Sequence, residues 1–310
     1  MKRFFIIAAV LAFLSIPMRG DNHPLCDSIL TRLENYIAGK DAKIGVGIII
    51  DGNDTVTVNG DRPFPMLSVY KFPQALAVAD YCVRHNMSFD DTISIAATEI
   101  KANTYSPMRD KYGVNPLRLP VSELLAYSIQ LSDNNACDIL FRLTGGPATV
   151  DSVLHEWGYR SIAVRSTEDE MHQDIDLCYL NSSTPIEMAS LLDRLNTQLR
   201  HASPEYRHIA YLMETCATGT DRLAAPLMKD KESGLIVIGH KTGTGDKNPQ
   251  QRIIGTNDVG YINFTDGHRY AIAVFISDSA YDFATTASVI AAISDIVYTE
   301  IKNTRTTDHR

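Results

Sequence analysis

Four stretches of this 310-residue chain carry side chains that could act on one bond. Ser68-Val69-Tyr70-Lys71 sets a hydroxyl and an amine three positions apart, which on a helix puts both on one face. A serine is a weak nucleophile until a base takes its proton. A lysine serves as that base only when burial or a second cation lowers its pKa. Ser132-Asp133-Asn134 adds another hydroxyl and an amide, and His240-Lys241-Thr242-Gly243-Thr244-Gly245 adds a second cation. Glu168 adds a carboxylate, in a polar stretch with Asp169, Glu170 and His172. Each stretch alone has a plainer reading. Ser132 or Asp133 would cap a helix. Lys241 would be a solvated charge where a strand ends in a glycine turn. Glu168 would belong to a solvated acidic loop.

These side chains need elements to hold them. Pro63-Phe64-Pro65 disfavours helix before Met66, while residues 72–83 place Ala, Leu and Val at helical spacing. Ser68 therefore falls at a helix N-terminus, where unpaired N–H groups and the helix dipole favour negative charge. Residues 24–38, 121–130, 134–143, 148–157 and 185–196 also read as helices, with a break at Gly145-Gly146-Pro147. Residues 43–50 and 55–58 form a strand hairpin around a turn at 51–54. Strands are expected at 234–239, 258–264 and 270–277, the last two joined by a hairpin turn at 265–268, before a closing helix at 285–301. Residues 166–183 are polar, lack periodicity and read as a long loop. Strands thus flank a helical middle. The first and last portions share one antiparallel sheet with the helical portion inserted, an α/β (α+β) class.

A formal net charge of −8 argues against a nucleic-acid partner. The length and the 45% apolar content suffice for one large domain or two intimately packed ones. Lys2 and Arg3 precede an apolar run at 4–16, broken only by Ser15, and then Pro17. That pattern reads as a signal peptide over residues 1–20 and an exported, periplasmic protein. The run is too short for a comfortable membrane span, and no later stretch reads as long and apolar enough to cross one. Cys26, Cys82, Cys137, Cys178 and Cys216 cannot all pair within one chain. Cys82 and Cys137, both on core helices, either pair or stay as buried thiols. The histidines form no metal-binding spacing, so neither metal nor cofactor is expected.

Taken together, Ser-x-x-Lys, Ser-Asp-Asn and Lys-Thr-Gly, with a glutamate-bearing loop between the last two, resemble the class A serine β-lactamases. The resemblance covers nearly all of the chain beyond residue 20. Glu168-Asp169-Glu170-Met171-His172 is similar to the loop of the PER-like, extended-spectrum cephalosporinase branch. It implies a β-lactamase/transpeptidase-like fold, an antiparallel sheet flanked by helices with an inserted all-helical domain. Residues 21–66 with 217–310 would form the sheet domain and 67–216 the helical one, with the site in the cleft between them.

It further implies hydrolysis of cephalosporins and penicillins through a Ser68 acyl-enzyme. Lys71 and Glu168 would move protons, and Ser132 would relay one to the lactam nitrogen. The Ser68 and Thr244 amides would form an oxyanion hole. Lys241, Thr242, Gly243 and Thr244 would line the place of the substrate carboxylate. Asn134 would accept from Lys71 and donate to the substrate amide, and Tyr105 would be an aromatic at the cleft rim. His172 stands where the commoner loop has an asparagine and would hold the loop or a water. Ser166 stands where that loop has an arginine, with Arg165 adjacent, so the usual loop-stapling ion pair lacks its cation. Met171-His172 sets the register that selects Glu168 over Glu170. The implied partner is a small β-lactam, with no nucleic acid, no membrane after signal removal, no metal and no cofactor, and the protein a monomer. A penicillin-binding DD-peptidase or an acyl-trapping sensor shares the first three motifs. The peptidase lacks the loop glutamate, and the sensor needs a membrane anchor.

Overall fold

A computed structural model describes residues 24–308; the expected signal peptide lies outside them. Helix α1 (Pro24–Ile37) leads into strands β1 (Lys43–Ile50), β2 (Asp54–Val58) and the short β3 (Phe64–Pro65). The middle of the chain runs α2 (Lys71–Arg84), β4 (Thr92–Ile95), α3 (Pro107–Tyr112), β5 (Leu117–Pro120), α4 (Val121–Gln130), α5 (Asn134–Thr144) and α6 (Pro147–Glu156). It continues through β6 (Ile162–Ala163), α7 (Glu168–Gln173), β7 (Ser182–Ser183), α8 (Pro185–Arg194), α9 (Arg200–Ala202) and α10 (Pro204–Glu214). The chain then closes with α11 (Met228–Glu232), β8 (Ile236–Thr244), β9 (Ile253–Phe264), β10 (Arg269–Ser279) and α12 (Phe283–Asp308).

The main sheet has the order β2-β1-β10-β9-β8 and its paired neighbours are antiparallel, so the first and last portions of the chain do share it. Strand alternation divides the apolar residues between two cores. Tyr270, Ile272, Val274 and Ile276 of β10 join α1 and α12 on one face. Ala271, Ala273 and Phe275 join the helical middle on the other. Because both faces are covered, these strands read as continuous apolar runs. Helix α8 lies directly on β1. A Cβ on Gly47 would come within 2.5 Å of the Pro185 carbonyl, so only glycine allows that approach. Helix α12 is long and apolar enough over Phe283–Arg305 to cross a membrane, against the sequence expectation. Its apolar residues Ile290, Ile293 and Val297 are fully buried against the sheet, which accounts for that composition.

Several boundaries differ from the sequence reading. Strand β8 does not stop at residue 239 but runs through Lys241-Thr242-Gly243 to Thr244. Residues 166–183 are not an irregular loop. They fold into α7 and a 3-10 segment, Ile175–Tyr179. Thr167 caps α7 reciprocally with Glu170, each side chain taking the other's backbone N–H, so a segment whose one apolar residue is the buried Met171 still forms helix. All five cysteines are free. Cys137 instead contacts the Tyr70 hydroxyl at 3.3 Å and Gln74 Oε1 at 3.2 Å, so the pairing with Cys82 is not made.

Candidate active site

Ser68 lies in a single 3-10 turn, Leu67–Tyr70, that runs into α2. It therefore sits one short turn ahead of the α-helix, and its N–H belongs to the unpaired first turn. Leu67 just before it has φ of 47°, a left-handed conformation that a branched side chain rarely adopts. The surroundings hold it there. Asn257 of β9 donates to the carbonyls of Pro65 and Met66 at 2.8 and 3.0 Å. Asn181 O accepts the Met66 N–H at 2.8 Å. Strand β8 presses close because Gly243 has no side chain; a Cβ there would meet Met66 O at 2.4 Å. Gly245 N bonds back to Gly255 O. Since amides alternate along an edge strand, the Thr244 N–H faces away from the sheet, toward Ser68.

Lys71 is fully buried and its amine meets three acceptors. These are Ser132 O at 2.7 Å, Asn134 Oδ1 at 2.7 Å and Glu168 Oε1 at 3.1 Å. An ammonium has three donors, so the set is complete. The same Glu168 Oε1 accepts from Ser68 Oγ at 3.5 Å. Hydroxyl, amine and carboxylate thus meet at one oxygen atom. Ser132, at φ 60°, turns its carbonyl to Lys71 and its hydroxyl to Lys241 Nζ, 3.1 Å away. Lys241 is buried, and its pKa is pushed down to about 8, first by burial and further by the charge of Lys71. Thr242 Oγ1 bonds Thr218 Oγ1 at 2.7 Å. A cavity of about 190 Å³ opens over Ser68, walled by Asn134, Glu168, His172 and Thr244 among others. A larger, more open hollow of about 620 Å³ lies elsewhere, and its charges pair among themselves as Arg252–Asp41 and Lys43–Asp278.

The remaining expected residues divide. Asp133 is the N-cap of α5, accepting Ala136 N at 2.8 Å, and it also holds Ser106 Oγ at 2.9 Å and Met108 N at 2.7 Å. Its plain capping reading is therefore the right one. Asn134 donates to Thr104 Oγ1 at 2.9 Å as well as accepting from Lys71. Tyr105 is 59% exposed; it enters the site through its backbone carbonyl, which takes the Asn134 N–H, while its ring stands clear of the cavity wall. His172 lines the cavity and its Nε2 meets Asn103 Nδ2 at 3.1 Å, tying α7 to the facing loop. Glu170 is committed to the Thr167 cap and lies off the cavity wall.

Sequence reasoning missed three side chains that hold the site. Asp138 sits one turn beyond Asn134 on α5 and accepts the N–H groups of Glu168 and Asp169 at 2.8 and 2.9 Å. Asn181 closes the neck of segment 166–183. Its Oδ1 takes the N–H groups of Arg165 and Ser166 at 2.7 and 3.0 Å, and its Nδ2 gives to Ser166 O at 2.9 Å. Arg165 points away to Asp151 at 2.7 Å, so a neutral amide does the stapling. Arg222, nine-tenths buried, donates to Thr244 Oγ1 at 2.6 Å. Only Asn181 left a sequence signal, an asparagine just before a Ser-Ser-Thr-Pro turn.

Burial raises the Asp138 carboxyl from 3.8 to about 7, and the charge of Glu168 adds to this against the two N–H bonds. Its folded pKa lies above its unfolded one, so its contribution to stability is full below pH 3.8 and is lost as pH rises through about 7. Asp138→Asn should flatten that fall in chemical-denaturation free energies measured from pH 4 to pH 8. An identical slope in both proteins would refute the assignment.

Residues 28–301 match the model of the family described as Beta-lactamase enzyme family. A beta-lactamase of Bacteroides uniformis is 34% identical over 300 residues, covering 96% of this chain and 99% of the relative. The extended-spectrum beta-lactamase PER-1 of Pseudomonas aeruginosa is 30% identical, covering 86% of this chain and 85% of the relative. The crystal structure of a class A beta-lactamase from Bacteroides cellulosilyticus superposes with a TM-score of 0.84 at 34% identity, covering 90% of this chain and 99% of that one. The chain belongs to the class A β-lactamase family, on its PER- and VEB-like side.

Proposed function

We propose that the protein destroys β-lactam antibiotics, cephalosporins and penicillins, by hydrolysis through an acyl group on Ser68. One observation carries the reading: Glu168 Oε1 lies against both Ser68 Oγ and Lys71 Nζ. A DD-peptidase or an acyl trap needs the serine and lysine but not that carboxylate. In this reading Ser68 Oγ attacks the lactam carbonyl, its proton passing to the Lys71–Glu168 pair. The Ser68 and Thr244 N–H groups receive the developing oxyanion. Ser132, between Lys71 and Lys241, hands a proton to the departing nitrogen. Glu168 then takes a proton from water as the water attacks the ester. Lys241, Thr242 and Thr244, with Gly243 giving access, receive the substrate carboxylate. Asn134 exchanges its Thr104 bond for the substrate amide. His172 holds α7 to the loop of Asn103, and Tyr105 flanks the entrance.

The site lies between a sheet domain, residues 21–66 with 217–310, and a helical domain, residues 67–216. The two cores on opposite faces of the sheet support that division. Lys2-Arg3 and the apolar run after them support export to the periplasm, and the family likeness supports a monomer free of the membrane.

The test mixes purified mature protein with a chromogenic cephalosporin and follows intact mass in the same sample. Many turnovers with a transient mass gain are expected. One equivalent of product with a lasting adduct on Ser68 would replace the reading with an acyl trap. A pH dependence follows too. Lys241 loses its charge above about pH 8, so KM for a carboxylate substrate should climb there. Lys241→Arg, whose guanidinium stays charged, should keep KM flat to pH 9.5. Parallel profiles would clear Lys241 of that role.

A further inference from the structure

Two buried ionisable side chains lie behind the site and take no part in the steps above. His240 and Asp258 are 2% and 0% exposed. Thr242 pairs with Asp258 across β8 and β9, and His240 with Gly260. His240, Thr242 and Asp258 therefore project from one face of the sheet, opposite to Lys241. A buried carboxylate is costly unless its lone pairs are filled. His240 Nδ1 stands 3.0 and 3.1 Å from the two oxygens of Asp258, and a carboxylate only accepts, so Nδ1 carries the proton. Asp258 Oδ2 also takes the Leu223 N–H at 3.1 Å.

That amide is the link to substrate. The residue before it, Arg222, reaches over β8 and donates to Gly243 O at 3.0 Å, Asn257 O at 2.8 Å and Thr244 Oγ1 at 2.6 Å. Its Nε is buried and has no hydrogen-bond partner among the described residues. Those three bonds hold the far end of the guanidinium, and the backbone next to the Leu223 amide sets where the side chain starts. An Arg222 donor on Thr244 Oγ1 leaves the threonine O–H as the group free to point outward at an anion. Asp258 is also the counter-charge felt by Arg222 and by Lys241. Without it, buried cations would face one another beside the substrate carboxylate.

We propose that His240 and Asp258 are positioning residues for recognition of the substrate carboxylate. Asp258 fixes the Leu223 amide and so aims Arg222 at Thr244, and His240 fixes Asp258. The inference rests on the hydrolase reading above for its substrate, and it goes beyond that reading by assigning a function to a pair that touches no ligand.

The test compares wild type with Asp258→Asn, His240→Leu and His240→Asn, each on a cephalosporin and on its methyl ester, which lacks the anion. Asp258→Asn and His240→Leu should raise KM for the acid about tenfold, the scale of one charge-assisted bond, with kcat altered less than about threefold. The ester should show no such rise. His240→Asn, which returns a neutral donor near the Nδ1 position, should restore KM to within about threefold of wild type. Equal losses on acid and ester, or loss of kcat alone, would mean that the pair only supports the fold and would overturn the proposal. A protein destabilised by these changes is covered by wild type itself. There the His240 Nδ1–H resonance should shift when hydrolysed cephalosporin acid binds and stay fixed with its ester, and a resonance blind to both overturns the proposal. If wild type acylates without turning over, the hydrolase reading fails. The same acid-to-ester comparison, made on acylation constants, still decides the positioning role.

Discussion

Glu168→Gln turns the protein into an acyl trap. The substitution keeps the side-chain shape and removes the acceptor that would activate water. Loss of a general base slows its step by roughly 10²–10⁴-fold. Deacylation should slow by that factor, so a burst of one equivalent appears and the Ser68 adduct persists in intact mass spectra. Acylation stays possible, because Ser68 and Lys71 keep their places and the Ser68 and Thr244 N–H groups still receive the oxyanion. Glu170→Gln is the control. Its amide oxygen can still accept the Thr167 N–H, so stability and turnover should both stay nearly unchanged. Normal turnover in Glu168→Gln together with an inactive Glu170→Gln would exchange the two roles.

Lys71→Met should abolish acylation more thoroughly than it unfolds the protein. The change removes a fully buried cation and leaves Ser132 O, Asn134 Oδ1 and Glu168 Oε1 without their donor. Acylation should fall on the order of 10³-fold, the range for a lost acid–base group. Stability should fall too, by about 3 kcal/mol, because the Glu168 carboxylate, whose side chain is 12% exposed, loses its counter-ion. The double variant Lys71→Met with Glu168→Gln separates these effects. Removing the stranded charge should restore most of the melting temperature and none of the activity. If the double variant melts no higher than Lys71→Met alone, the pair is not an electrostatic unit.

Much of this arrangement is readable in the chain because its chemistry lies in short runs. Ser68-x-x-Lys71 and Lys241-Thr242-Gly243 each bring their side chains by local geometry, and the apolar runs of β1 and β10 declare a sheet covered on both faces. Reading fails where polar residues are buried. Strand β8 was expected to end at residue 239 because His240, Lys241 and Thr242 break the apolar pattern, yet all three are buried and the strand continues. The helix α7 has a single apolar residue, Met171, too little to declare a face; its one local signal is Thr167 three positions before Glu170. Asp138 and Arg222 carried no local signal at all. Each acts on a segment 30 or 22 residues away, at Glu168 and at Thr244, and a single chain does not record such pairings. The short β4 and β5 escaped notice because four residues give too little alternation.

The hold that Asn257 has on the carbonyls of Pro65 and Met66 has a consequence for how activity arises in time. The two groups are separated by 192 and 191 positions. Contacts so distant in the chain close late, after local helices have formed. A chain emerging from synthesis can therefore complete α2, with Lys71 in place, long before β9 exists to set Leu67 in its left-handed turn and bring Thr244 over Ser68. The nucleophile remains unarmed until the closing meander docks. In refolding, secondary structure should return first and reactivity toward a β-lactam last, as a separate and slower phase.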